Sequence, residues 1–261
     1  MIEGISHLTM EISLEEGARF AGRVGFRHDF TGEVDLPADF ERVTPHKAPL
    51  PLALYSAREG IQLEIVHHAE RAGGEGAFTG VFGCAPPAGV GDPVSRPAVA
   101  DAIAKSGAAL APQCLALSPH GTETWFDAGG GAGGLRAIVC RVRDVAVEAA
   151  FWESLAEVHW DSVTAEAAWG TVPSALRRTS CPLILTRDEA PLAEHRMNDS
   201  GFPSIGVVST AIEADYERAL ALGAVARAAP IPATVGSRRL RLALFASPGG
   251  LLVEPLAAGW G

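Results

Sequence analysis

Cysteine is scarce in this chain of 261 residues, and Cys84, Cys114, Cys140 and Cys181 are too scattered to form a CxxC pair. That spacing excludes a thiolate zinc module and a disulfide framework, and reads as small buried apolar residues of a reduced, cytoplasmic protein. Positive charge is short as well. A formal net charge of −10 and a pI near 5.3 leave no basic face for phosphates, which argues against a nucleic-acid partner and favours cationic ligands weakly. No stretch approaches 18 consecutive apolar residues, and the N-terminus has no basic segment leading into an apolar one. Neither a membrane span nor an export signal is expected. Walker and dinucleotide glycine fingerprints are missing, and so is any Ser-His-Asp or Cys-His motif context.

What is present suffices for a real core, with 48% hydrophobic and 20% charged residues, at a length suited to one large or two modest domains. Strand, helix and strands recur four times, with a period of roughly 60 to 65 residues. The first copy runs from Gly4 to about His68, with His7 on its first strand, a helix over 14–24, and closing strands at 49–55 and 60–66. The second runs over about 77–128, with a helix over 97–107 begun by a proline and stopped by a glycine. The third, over about 135–188, opens with a strand at 135–142, and Asp144 caps the helix that follows. The fourth, over about 203–257, has a helix stopped by Gly223 and a last strand ending in Glu254. Gly60 to Glu64 and Gly250 to Glu254 have identical spacing, which supports true repetition. The glycine run 129–134 is the best boundary in the chain. A strand rather than a helix follows it, so it is not a phosphate loop.

These residues resemble βαβββ modules of the vicinal oxygen chelate superfamily, which includes glyoxalases, bleomycin-resistance proteins and extradiol dioxygenases. The resemblance implies an α+β fold, with four modules paired into two cupped, partly open β-barrels and helices outside. In sequential pairing, residues 1–130 form an N-terminal barrel and residues 135–261 a C-terminal one. In this superfamily a His on the first strand and a Glu on the last strand of a module face one concave site. Carried over by position, the candidate ligands are His7, Glu64 and Glu254, with the two glutamates also candidate catalytic groups. Copy two has Trp125 at the Glu64 position, copy three has Ala137 at the His7 position, and copy four has Ser204 there.

With sequential pairing, the first barrel would hold His7 and Glu64, with Gln62, Cys84 or His120 as extra ligands. With copies one and four paired instead, His7, Glu64 and Glu254 would form a one-His, two-carboxylate site with Ser204 nearby. Imidazole and carboxylate suit Fe, Mn, Zn, Ni or Co with open positions for substrate. The resemblance thus implies a metal-dependent lyase, isomerase or dioxygenase-like enzyme acting on a small organic molecule. The alternative is a metal-free sequestering protein of the bleomycin-resistance kind. A third reading is a metal-free enzyme in which Glu64 or Glu254 is a general base of raised pKa. No nucleic acid or membrane partner is expected, and the superfamily makes a homodimer plausible. His67 and His68 read as a solvated strand end, and Trp125, Trp152, Trp160 and Trp169 as packing residues.

Overall fold

A computed structural model describes residues 1–36, 49–58, 60–70, 72–86, 91–105, 112–117, 122–127, 133–175, 180–188 and 194–258. Copy one comprises β1 (Ile2–Glu11), α1 (Leu14–Arg23), β2 (Arg27–Asp35), β3 (Leu50–Ser56) and β4 (Gln62–Val66). Ser13 starts α1 by accepting the Glu16 N–H and donating its own hydroxyl to the Glu16 carboxylate at 2.6 Å, a reciprocal cap. Copy two comprises β5 (Phe78–Phe82), β6 (Gly91–Pro93), α2 (Pro97–Lys105), β7 (Pro112–Leu117) and β8 (Thr122–Asp127). Copy three comprises β9 (Leu135–Val142), α3 (Val145–Ala156), β10 (His159–Val163), β11 (Ala167–Pro173) and β12 (Ser180–Arg187). Asp144 caps α3 as expected, accepting the Val147 N–H at 3.0 Å. Copy four comprises β13 (Ser204–Ser209), α4 (Ile212–Ala221), β14 (Val225–Val235), β15 (Arg238–Ala246) and β16 (Leu252–Ala258). The turn glycines Gly60 and Gly250 have φ of +88° and +89°, a backbone that favours glycine and brings each closing strand back with the same geometry.

The pairing of copies is not sequential. Copies one and four close a barrel in the order β1-β13-β16-β15-β14-β2-β3-β4, whereas copies two and three form an open sheet, β10-β11-β12-β9-β5-β8-β7-β6. β1 lies antiparallel to β13, and β5 antiparallel to β9. A cut at 129–134 would therefore run through the second sheet rather than between two barrels. The reason is that first strands such as β5 and β9 are apolar on both faces, so their composition does not specify a partner. Residues 129–132 lie outside the described residues, but the end of the glycine run is docked. The Gly134 N–H donates to the Val24 carbonyl at 2.7 Å, and a Cβ on Gly133 would stand 2.7 Å from the Gly25 Cα.

Helices α1, α3 and α4 cover the convex faces, as expected, but α2 does not. In sheet order β6 is the second strand of its copy, so α2 follows the second strand instead of preceding it. It packs on β11, β12 and β7. Ala102 and Ile103 join Val81, Trp125, Ala137, Val139 and Ile184 there, whereas Leu183 and Leu185 of the same β12 face the core on the other side with α3. The second cup is thus filled by a helix. Between the two sheets lies an aromatic core centred on Phe82, whose ring meets Phe20, Phe26, Phe126 and Phe202 at centroid distances of 5.2 to 6.3 Å.

Candidate metal centre

Strand register inside the closed barrel brings the three sequence candidates together. β1 pairs in parallel with β4, setting His7 beside Gln62 and Thr9 beside Glu64. β13 pairs in parallel with β16, setting Ser204 beside Leu252 and Gly206 beside Glu254. His7 and Gly206 are direct partners across β1 and β13, so His7, Gly206 and Glu254 follow one another across three strands. The ligating atoms of His7, Glu64 and Glu254 all lie within 4.8 Å of one another. Sequential pairing would have kept Glu254 in a different barrel, and the one-and-four arrangement is what unites the set.

Two members of the set are held by a neighbour, His7 by Ser6 and Glu64 by Thr9. The ladder slips between Ile5 and His7, a bulge that lets both Ser6 and His7 line the cavity. Ser6 Oγ lies 2.9 Å from His7 Nδ1, leaving Nε2 aimed at Glu64 Oε2 at 3.4 Å. His7 Nε2 is buried and has no hydrogen-bond partner. Thr9 donates its hydroxyl to Glu64 Oε2 at 3.0 Å. Gly206 leaves room for the imidazole, because a Cβ there would stand 2.2 to 2.7 Å from three His7 ring atoms. Burial pushes the Glu254 carboxyl up to about 8, and the charge of Glu64 adds to the rise. Pro255 follows Glu254 without an N–H to donate, at a point where the ladder between β15 and β16 lapses.

These features fit a cation. A buried imidazole nitrogen lacks a partner, and beside it stands a carboxyl that burial, with the charge of a second carboxylate, keeps from ionising. Ligands at 2.0–2.2 Å from one ion lie about 3 to 4.4 Å apart, close to the spacing seen. The set opens onto a cavity of about 220 Å³ walled largely by leucine and valine, with Phe30 and Arg238 also in its lining.

The other candidates fall elsewhere. Gln62 lines the cavity, but its amide donates to Asp29 Oδ2 at 3.0 Å and Ser56 Oγ at 3.1 Å. Ser204 is fully buried, its Oγ unpartnered and outside the cavity lining. Cys84 packs against the core between the sheets, and His120 and the Cys114 side chain lie outside the described residues. His68 is not a solvated strand end. It is buried, with Nδ1 2.6 Å from Glu11 Oε2 and its N–H donating to Glu11 Oε1 at 3.1 Å. Sequence reading missed Ser6, Thr9 and Gly206, since short polar residues and a glycine in a strand carry no periodic signal. In the second cup, register places Trp125 beside Val81 and Ile184 beside Val139, as Glu64 stands beside Thr9. Its four equivalent positions are Thr79, Trp125, Ala137 and Ile184, none of which carries an imidazole or carboxylate.

No protein-family model and no curated protein matches the chain. Solved structures do. Glyoxalase I from Zea mays aligns over 97% of this chain and 92% of its own, with a TM-score of 0.58 at 12% identity. A candidate dioxygenase from Bacillus subtilis aligns over 100% of this chain and 86% of its own, with a TM-score of 0.56 at 13% identity. With the barrel, the repeated modules and these two full-length likenesses together, the chain has the fold of the vicinal oxygen chelate superfamily.

Proposed function

We propose that this protein is a metal-dependent enzyme of the glyoxalase and dioxygenase type, acting on a small organic molecule inside the first barrel. The observation that carries this reading is the orphaned, buried His7 Nε2 facing Glu64 and Glu254 within 4.8 Å. His7, Glu64 and Glu254 would hold a divalent ion such as Fe, Mn, Zn, Ni or Co. When bound, such an ion supplies a Lewis acid that polarises a pair of substrate oxygens. The chain's residues do the rest. Ser6 fixes the His7 ring and Thr9 fixes Glu64, so the ligand set is preorganised. Glu254, on the strand next to β13 and beside the open positions of the site, would be the group that gives or takes a proton next to the substrate oxygens. The leucine and valine walls exclude water from that step. All three ligands come from one chain, so the site needs no partner subunit. No helix among the described residues is long and apolar enough to cross a membrane.

A second reading is a metal-free sequestering protein. Ser204, which stands where a second histidine would complete a four-ligand set, and the apolar cavity lining favour it. Elemental analysis of protein purified without a histidine tag, wild type against His7→Ala, separates the two. About one equivalent of metal in the wild type and its loss in the variant are expected. No metal in either protein, even after reconstitution, would overturn the enzyme reading in favour of sequestration.

A further inference from the structure

We infer that the ligand of the first barrel is an elongated organic anion with an apolar body, its charged end met by Arg238. Arg238 is the one lysine or arginine in the cavity lining among the described residues. Arg238, Leu240 and Leu242 all line the cavity, whereas Arg241, out of phase with them along β15, pairs with Glu213. Arg238 has no such partner among the described residues. Its guanidinium carbon lies 5.9 Å from the centroid of the Phe30 ring. Phe30 is itself fixed in place, since a Cβ on Gly32 or Gly236 would stand 2.4 or 2.9 Å from its ring. In a chain of net charge −10, a guanidinium left without a carboxylate among the described residues, beside an apolar cavity, is available to an outside anion.

The opposite end of the cavity holds His7, Glu64 and Glu254. Register sets Val253 beside Phe245 and Leu256 beside Leu242, which brings Leu244 level with Glu254. From position 244 to 238 is six residues, about 20 Å of strand at about 3.3 Å per residue. On the facing side Arg238 is level with Val34 and Leu50, four residues or about 13 Å from Leu54, the partner of Glu64. The two polar ends are therefore well separated. The wall between them is built of Leu52, Leu54, Leu240, Leu242, Leu256 and Val66, none of which offers a side-chain hydrogen bond. An amide or hydroxyl in the middle of the ligand would lose its water there and gain no partner. That disfavours peptide conjugates and sugars and favours plain alkyl or aryl acids. The placement of oxygens at the inner end rests on the metal reading, but the recognition of the anion does not.

The test is calorimetric titration of the purified protein with octanoate, octylamine, 1-octanol and N-pentanoylglycine, which matches octanoate in chain length but carries an amide. Octanoate is expected to bind at least roughly tenfold tighter than the other three. Arg238→Met should lose that preference and Arg238→Lys should keep part of it, with unchanged thermal unfolding in both. His7→Ala should retain the preference, so that failure of the metal reading leaves this result standing. Equal binding of octanoate and octylamine, no binding of any probe, or a preference that survives in Arg238→Met would overturn the inference. N-pentanoylglycine binding as tightly as octanoate would overturn the apolar body.

Discussion

Gly206 decides where the His7 ring can stand, because it is the partner of His7 across the strands and has no side chain. Gly206→Ala puts a methyl group into the space of the imidazole, and the ring must turn away from Glu64 and Glu254. The expected result is at least roughly tenfold weaker metal binding, at a stability cost of about 1–3 kcal/mol. Competition with a chromogenic chelator reads the first and urea unfolding the second. Unchanged metal affinity would mean that His7 is no ligand. Glu254 makes a second prediction, for metal-free protein. Its folded-state pKa of about 8 lies above the ordinary value of 4.5, so the folded protein keeps a proton that the unfolded chain releases. The stability this contributes is full below about pH 4.5 and is lost as pH rises through about 8, with a slope of at most about 1.4 kcal/mol per pH unit. Relative to Glu254→Gln, the wild type in chelator should weaken steadily between pH 5 and pH 8 in urea titrations. A constant difference between the two proteins would place Glu254 outside the cavity. His7, Glu64 and Glu254 were legible in the sequence because they stand at the ligand positions of the module that the chain resembles, the two glutamates at the same spacing from Gly60 and Gly250. Ser6, Thr9 and Gly206 were not, because their roles exist only across strands.

Among the elements, α3 shows how one buried charge joins two copies of the module. Glu148 is fully buried, accepts the Trp152 indole N–H at 2.8 Å, and takes the Gly249 N–H at 2.7 Å from the turn between β15 and β16. Burial raises its pKa, while bonds from Ser247, Gly249 and Trp152 oppose the rise. That turn leads directly into the strand carrying Glu254, so copy three braces the site in copy four. Glu148→Ala leaves two buried N–H groups without acceptors, and a loss of about 2–5 kcal/mol is expected. Glu148→Gln keeps an acceptor and should fall between Ala and wild type in urea midpoint. A Gln variant less stable than the Ala variant would contradict this account. Elements with a clear periodicity, α1, α4 and β15, could be read from the sequence, and so could α3 and β9 from an acidic N-cap and an apolar run. β10, β11 and β14 could not, since their residues are half-exposed and lack a clean apolar alternation. The helix α2 was legible as a helix, but not as the filling of a cup. An alanine-rich apolar face fits a concave surface as well as a convex one.

At the scale of the whole molecule, two pairs of copies have taken different forms, one a closed barrel and the other an open sheet. Copies one and four keep the three candidate ligands and an open cavity, whereas copies two and three have Thr79, Trp125, Ala137 and Ile184 at the matching positions and α2 inside. One metal equivalent per chain is therefore expected at saturation, and two equivalents would contradict the assignment of the second cup. The connectivity makes a sharper demand. β1 and β4 carry His7 and Glu64 near one end of the chain, but the strands that complete their barrel, β13 to β16, lie near the other. Which strands pair depends on contacts between residues far apart in sequence, and strand composition does not encode it. A chain ended after residue 130 would retain both repeats of its half, yet lack four of the eight barrel strands, Glu254 and β9, the partner of β5. Such a fragment should bind no metal and unfold without a cooperative transition. Mixing it with a separately produced 135–261 fragment should restore both properties, because the two sheets can form only when both halves are present. If the 1–130 fragment alone melted cooperatively and bound metal, the barrel would be sequentially paired after all, and the union of His7, Glu64 and Glu254 in one site would be wrong.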